Sequence, residues 1–262
     1  MTTPSTLIVS REGHTVTVTL NRPDVRNAFN AVSIAELTET FNTLVQDASL
    51  RAIILRANGS AFCAGADLQW MRQMANFSDA ENVADATLLA RMLYAIYQCP
   101  VPVVACVQGD CYAGGMGLVA ACDIAVASDQ VQFCLSEVRL GLIPATISPY
   151  VIRAMGENAA RRYFLTAERF DASEALRIGF VHKVVSTNEF DGAVNGVVAA
   201  LTSASPHAVR EAKRLVRDVA GAVPGEAVIA DTARRIATIR ASEEGREGVQ
   251  AFLEKRKPSW LS

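Results

Sequence analysis

Histidine is nearly absent: the 262 residues hold three, His14, His182 and His207. One follows a glycine turn, one lies in a strand-like run and one opens a helix, so none is expected to be a catalyst despite the suitable pKa of imidazole. Paired cysteines are lacking too. The six stand at 63, 99, 106, 111, 122 and 134, no two with CxxC spacing, which argues against a zinc or dithiol motif. Several sit in apolar runs, where a free thiol behaves as a small hydrophobe, so a reducing compartment is expected rather than a disulfide framework. Neither sign of charge is in excess: a formal net charge of -2 and a pI of about 6.0 give no overall pull toward nucleic acid or an anionic membrane. No apolar run is long enough to span a bilayer, and Met1 to Thr6 lack a basic segment followed by an apolar one. The expected location is cytoplasmic.

What the chain does have is apolar and small residues. With 50% hydrophobic and 20% charged residues it can build one large core, or a core plus a helical appendage. Its chemistry concentrates in Gly109-Asp110-Cys111-Tyr112-Ala113-Gly114-Gly115-Met116-Gly117-Leu118-Val119-Ala120-Ala121-Cys122-Asp123. Pro102 to Val107 is a β-rich run, the glycines break it, and Met116 to Cys122 can continue as a helix. The first amides of a helix have no partner inside it and carry the positive end of its dipole, so they suit a phosphate, carboxylate or enolate oxygen. Small residues at 113, 114, 115 and 117 would let a thin substrate lie against the backbone, although they equally serve tight helix-to-sheet packing. A second turn, Ser60-Ala61-Phe62-Cys63-Ala64-Gly65-Ala66-Asp67-Leu68, repeats the arrangement between strand-like Ala52 to Leu55 and helix-compatible Gln69 to Met74. Two such turns could each aim one amide at a shared point, an oxyanion hole made without side chains.

Along the chain, Thr15 to Leu20 alternates as a half-buried strand should. Ser33-Ile34-Ala35-Glu36 has capping-box spacing, and Leu37, Phe41, Leu44 and Val45 then share a helical face. Ala52 to Ala57 is the next strand, and Trp70, Met71 and Met74 are expected in the core. Ser78-Asp79-Ala80-Glu81 repeats the capping spacing before a long helix with Leu88, Leu89, Met92, Leu93, Ile96 and Tyr97 in one stripe, ended by Pro100 and Pro102. Strands over Ile124 to Ala127 and Gln132 to Cys134 follow, the latter delivering Ser136-Glu137 near its end, where loops commonly carry chemistry. The recurring strand, strand, helix units predict an α/β region over 1–186. From Thr187 the pattern is helical: Phe190 to Leu201, Pro206 to Arg217, Pro224 to Ile239 and Glu243 to Phe252. Val228, Ile229, Ile236, Ile239, Val249, Phe252 and Leu253 exceed what a free tail should expose, so 187–262 is expected to dock on the core or on another subunit.

These blocks together resemble the crotonase superfamily, the enoyl-CoA hydratase/isomerase proteins, over nearly the whole chain. The resemblance rests on Asn21-Arg22-Pro23 with Asn27-Ala28-Phe29, on Phe62 to Leu68, on Gly109 to Asp123, on Gln132-Phe133 through Glu137, on Leu140-Gly141-Leu142-Ile143-Pro144 and on Phe252-Leu253-Glu254-Lys255-Arg256. It implies an α/β spiral of strand-strand-helix units with a C-terminal helical region used in trimer assembly, as a trimer or a dimer of trimers. It implies an acyl-CoA thioester as substrate, with coenzyme A entering only as part of it and neither a separate cofactor nor a metal. The amides matching Ala66 and Gly114 would bind the thioester oxygen, and Glu137 would be the acid/base. Arg22, Arg26 and Ala28, with Ala64, Gly65, Asp67, Leu68 and Gln69, would line the CoA and acyl path, while Phe252 and Lys255 would reach a neighbouring subunit's CoA. Asp67 and Asp123 read as a helix cap and a loop-fixing carboxylate.

One departure matters. Hydratases of the best-known type carry two glutamates, at positions matching Gly117 and Glu137, and here Gly117 has no acid. A single carboxylate can shuttle one proton, but water then needs another positioning group. Three functions follow from the resemblance: a hydratase, a double-bond isomerase, and a non-catalytic CoA-binding protein. The stretch from Ser136 to Val151, with Ala160-Arg161-Arg162-Tyr163-Phe164, looks like the bacterial methylglutaconyl-CoA hydratase branch, which implies leucine or isoprenoid catabolism and a substrate with a second carboxylate. Arg72, one turn after the Ala66 loop, is a candidate cation for it.

Overall fold

The protein is described by a computed structural model over residues 6–261; the leader-free start read in the sequence lies in residues 1–5, outside that range, apart from Thr6. Strands β1 (Leu7–Glu12) and β2 (Thr15–Leu20) form an antiparallel hairpin around Gly13. Alternation in β2 buries Val16, Val18 and Leu20, whereas β1 buries only Leu7 and so carries no periodic signal in the sequence. Helix α1 (Ala31–Leu44) starts earlier than the expected Ser33 cap. Asn30 accepts from the Ser33 amide at 2.9 Å and the Ser33 hydroxyl accepts from the Asn30 amide at 2.9 Å. Glu36 is thereby released from a capping role and instead accepts from the Thr6 amide and hydroxyl at 2.8 and 2.6 Å.

The chain continues through β3 (Ala52–Ala57), β4 (Ala61–Cys63), α2 (Leu68–Met74), α3 (Asp79–Gln98), β5 (Val103–Val107), β6 (Asp110–Tyr112), α4 (Gly114–Ala121), β7 (Ile124–Ser128) and β8 (Gln132–Cys134). Next come α5 (Ser148–Thr166), β9 (Phe170–Asp171), α6 (Ala172–Arg177) and β10 (Lys183–Val185). Two sheets result. The larger has the order β1-β2-β3-β5-β7-β10, parallel from β2 onward, and the smaller has the order β4-β6-β8-β9, parallel from β4 to β8. Long strands of the first sheet therefore alternate along the chain with short strands of the second, which stacks the repeating units. Strand β5 is covered on both faces: Val103, Ala105 and Val107 enter the main core, while Val104 and Cys106 pack with Val126 against Phe190, Ala193 and Val194.

The capping box at Ser78 and Glu81 forms as the sequence predicts, and Met92, Leu93 and Ile96 of α3 are fully buried. Leu88, expected in the same stripe, is exposed, because it borders an open cavity of about 1150 Å³ between α1 and α3. The last helices are α7 (Phe190–Ser203), α8 (Pro206–Val219), α9 (Glu226–Ala241) and α10 (Glu243–Leu253). Neither α8 nor α9 buries a residue. Helix α8 is tied down by cations instead: Arg210 donates to the carbonyls of Ala48 and Leu50 at 2.9 Å each, and Lys213 reaches Asp123 at 2.6 Å, while Arg235 ties α9 to Asp218 of α8 at 2.8 Å. No described helix is long and apolar enough to cross a membrane.

Candidate active site

Three segments leave the same edge of the small sheet. Register pairs Cys63 with Cys111, and Tyr112 with Cys134, on parallel neighbours, so Ala66, Gly114 and Glu137 each follow the carboxyl end of β4, β6 and β8 by two or three residues. Ligands of parallel sheets bind outside the carboxyl ends of strands, where loops from adjacent strands converge.

The first turn is fixed by Phe29. Its amide donates to the Gly65 carbonyl at 2.7 Å, and its carbonyl accepts from the Asp67 amide at 2.8 Å, forming a parallel bridge centred on Ala66. Successive amides of extended chain point to opposite sides, so the Ala66 N–H faces away from Phe29, and it donates to no group among the described residues. That side is where the second turn lies. A Cβ on Gly65, whose φ is +93°, would sit 2.9 Å from the Ala113 Cβ and 3.8 Å from the Gly114 nitrogen. The second turn is held by the Ala113 amide donating to the Cys134 carbonyl at 2.8 Å.

Ala113 has φ 46° and ψ -119°, a conformation that costs an L-residue of order 1–3 kcal/mol and persists only where packing enforces it. It opens α4 without a side-chain cap, so the Gly114 amide starts the helix unpaired among the described residues. The helix begins at Gly114 itself, two residues before the expected Met116. A side chain at 114 would displace the Phe29 ring, since a Cβ there would meet it at 2.9 Å. Phe29 thus braces both turns, by its backbone and by its ring.

Helix α2 differs. Asp67 caps it, accepting from the Gln69 amide at 2.7 Å and from the Arg22 guanidinium at 2.8 Å. Burial works to raise the Asp67 pKa, but the Arg22 and backbone donors outweigh it and hold the carboxyl below its ordinary value.

Glu137 opens a short 3-10 turn over Glu137–Leu140 beyond β8. One of its carboxylate oxygens, Oε2, is buried with no hydrogen-bond partner, and burial raises its pKa above the usual glutamate value. A buried carboxylate oxygen left without a partner marks a group whose proton affinity the fold has increased. The thiols nearby are inert: burial pushes Cys63 up to about 12 and Cys111 well above its ordinary value. Among the described residues, no group of three or more His, Cys, Asp or Glu could hold a metal ion.

Gly117 is closed off rather than merely unsubstituted. A Cβ there would lie 2.8 Å from the Ile147 Cβ and 3.6 Å from a Leu93 methyl, with Ile147 only 2% exposed. Ile147, which sequence reasoning missed, fills the flank from a loop far along the chain, and no local pattern announces such a contact.

The remaining expected residues separate into groups. Ala28 is buried, and Ala64 and Gly65 lie within the first turn. Arg22, expected to line the CoA and acyl path, turns its guanidinium to Asp67 and to the Ala28 carbonyl at 2.5 Å. Arg26 is exposed, pairs with Asp110 at 2.8 Å and lies 5.8 Å from the Tyr112 ring centre. Leu68 and Gln69 are exposed beside the first turn, and Arg72 is exposed on α2. Phe252 and Lys255 stand exposed at the end of the chain's last long helix. His182 serves structure, its Nδ1 accepting from the Ala125 amide at 3.0 Å. Asp123 fixes its loop as expected, accepting from the Val103 amide at 2.7 Å.

Sheets, turns and carboxylate together define an α/β protein of the crotonase fold, and a family profile described as enoyl-CoA hydratase/isomerase matches residues 11–262. The chain belongs to that family. A solved enoyl-CoA hydratase from Shewanella pealeana superposes with a TM-score of 0.94 at 43% identity, covering 97% of this chain and 96% of that one. A short-chain-enoyl-CoA hydratase of Clostridium acetobutylicum is 30% identical over 260 residues, 96% of this chain and 95% of its own. The mevalonyl-coenzyme A hydratase sidH of Aspergillus fumigatus is 32% identical over 251 residues, 94% and 91% of the two chains.

Proposed function

We propose that the protein is an enoyl-CoA hydratase, adding water across the double bond of an α,β-unsaturated acyl-CoA thioester or removing it. The observation that carries this reading is the buried, unpartnered oxygen of Glu137 just past β8, in the same sheet whose neighbouring strands lead to the unpaired amides of Gly114 and Ala66. The amides take the thioester oxygen, where negative charge develops as the enolate forms, and one such donor contributes on the order of 10²-fold in rate. Glu137 removes a proton from water as the water oxygen bonds to C3, then returns that proton to C2 as the enolate collapses. One carboxylate thus both takes and gives the proton, which its raised proton affinity favours near neutral pH. With Ile147 sealing the flank of Gly117, no second acid enters from α4.

The substrate we propose is methylglutaconyl-CoA or a related branched dicarboxylic enoyl-CoA of leucine or isoprenoid breakdown. The local likeness over Ser136 to Val151 supports it. So does a relative named for hydration of a mevalonyl-coenzyme A thioester. Arg72, exposed one turn beyond the Ala66 loop, is the cation proposed for the distal carboxylate. We also propose that 187–262 is an oligomerisation region giving a trimer or a dimer of trimers, since Phe252 at 82% exposure and Leu253 at 69% lie together near its end. Light scattering at micromolar concentration would read a monomer mass if that were wrong.

The deciding experiment is water addition across a panel of enoyl-CoAs that includes crotonyl-CoA and methylglutaconyl-CoA, with β,γ-isomer formation followed in parallel. Hydration of at least one thioester well above isomerisation is expected. Isomer formation without hydration would replace the hydratase reading with an isomerase. Arg72→Gln should raise KM for the dicarboxylic substrate alone.

A further inference from the structure

At the opposite end of α4 from Gly114, a cavity of about 310 Å³ opens where α3, α5 and α8 meet the Cys122-Asp123 turn. Neither Gly114, Ala66 nor Glu137 lines it. Its walls carry three cations, Arg153, Lys213 and Arg217, against one carboxylate, Asp123. Lys213 and Asp123 cancel one another at 2.6 Å. Of the two arginines, Arg153 is left over and Arg217 is only loosely paired. Arg153 makes no hydrogen bond or ion pair among the described residues and lies 6.0 Å from the Tyr97 ring centre. The nearest carboxylate to Arg217 is Asp218 at 3.8 Å, and Asp218 already accepts from Arg235 at 2.8 Å.

The other polar groups of the cavity are donors as well. Because the His182 Nδ1 accepts from the Ala125 amide, Nε2 is the ring nitrogen left to donate. Tyr97 and Tyr150, in edge contact at 5.4 Å, add two hydroxyls that bond to nothing among the described residues. With three cations and three further donors against one carboxylate that Lys213 already occupies, the pocket has an excess of donors, and planar guanidinium forks match the paired oxygens of phosphate or carboxylate. Its volume is at the lower end of the roughly 300–1,000 Å³ of small-molecule sites, too small for a whole coenzyme A.

We propose that this cavity is a second ligand site, separate from the acyl-CoA site, which binds a small dianion bearing a phosphate or two carboxylates through Arg153 and Arg217. The test is isothermal titration of the full chain with inorganic phosphate and with malonate, at ionic strength held constant with sodium chloride, with and without saturating CoA. Saturable binding of one anion per chain is expected, unaffected by CoA, and weakened about tenfold or more in Arg153→Gln and in Arg217→Gln, as befits a lost charge-assisted bond. Arg153 is exposed, so its variant should melt with the parent and keeps the test independent of folding. Preference for phosphate would make the ligand a phosphate ester, and preference for malonate a dicarboxylate; either supports the site. No saturable binding of either anion, displacement by CoA, or unchanged affinity in both variants would overturn it.

Discussion

The amide side and the carboxylate side of the site are built by opposite rules. On the amide side every flank is packed: Phe29 pairs with the Ala66 turn and abuts Gly114, while Gly65 touches Ala113. On the carboxylate side Glu137 keeps a buried oxygen that nothing satisfies. Groups that must hold still while charge appears beside them gain from rigid packing, since no reorganisation is then needed at the moment of reaction. A group whose proton must come and go gains from the absence of a fixed partner, which would lock it in one state. The amide side is itself divided, because Asp67 consumes the first free amides of α2 while α4 starts uncapped. A carboxylate at the head of α4 would repel the oxygen that the turn is proposed to receive.

Removing the carboxylate alone should give the largest effect. Glu137→Gln keeps the side-chain shape but cannot ionise, so kcat for hydration should fall on the order of 10²-fold or more, while CoA-thioester affinity changes far less. A folded variant within threefold of the parent would move the acid/base role elsewhere. Disturbing the amide side alone should give the next largest. Gly65→Ala forces a side chain into φ +93° and into the Ala113 Cβ, displacing Ala113 and with it the Gly114 amide. We expect a loss of about 10- to 100-fold in kcat, with destabilisation of about 1–3 kcal/mol in denaturant titrations. Unchanged kinetics would mean that the two turns are not coupled through that contact.

The two sides also differ in how far the sequence reveals them. Both turns are visible because glycine and alanine between a strand pattern and a helix pattern is a local signal, and Asp67 reads as a cap from its position alone. Strand β2, helix α3 and the C-terminal helices follow from periodicity in the same way. Glu137 carries no such signal; its candidacy comes from family likeness and a strand end. Ile147 against Gly117, Arg22 against Asp67, and Lys213 against Asp123 are invisible because each joins segments distant in the chain, and only packing decides them. Strand β1 and the two- and three-residue strands of the small sheet are too short or too exposed to alternate.

A change that touches neither side should spare catalysis and cost stability. Lys213→Met strips the mostly buried Asp123 of its cation while the Val103 amide still points at it. Breaking a buried pair by removing one partner costs about 3–5 kcal/mol, and the partial exposure of Asp123 at 29% lowers the expected loss to about 2 kcal/mol. Thermal unfolding should show a fall of several degrees, with kcat within about twofold of the parent. A large kcat loss at unchanged stability would mean that α8 acts on the site directly.

The smallest effect concerns stability against pH and separates the two sides by sign. Burial raises the Glu137 pKa above its ordinary 4.5, so between that value and the raised one the folded state holds more protons than the unfolded state. The slope of unfolding free energy with pH is then negative for this group: stability is lost as pH rises through the window and stays lost above it. Asp67 has the opposite sign. Its pKa is lowered in the fold, so its contribution is present above the unfolded value and disappears as pH falls through the folded one. Glu137→Gln should therefore melt higher than the parent at pH 7, with the gap closing as pH approaches 4, even though its activity is the most damaged. Asp67→Asn should melt lower at pH 7 and converge with the parent only in stronger acid. Activity should carry the same mark, with the acid limb of kcat/KM lying above the ordinary carboxyl range. A Glu137→Gln variant less stable than the parent at neutral pH would show that the carboxylate is held by partners after all, and the contrast between a packed side and an unsatisfied side would fail.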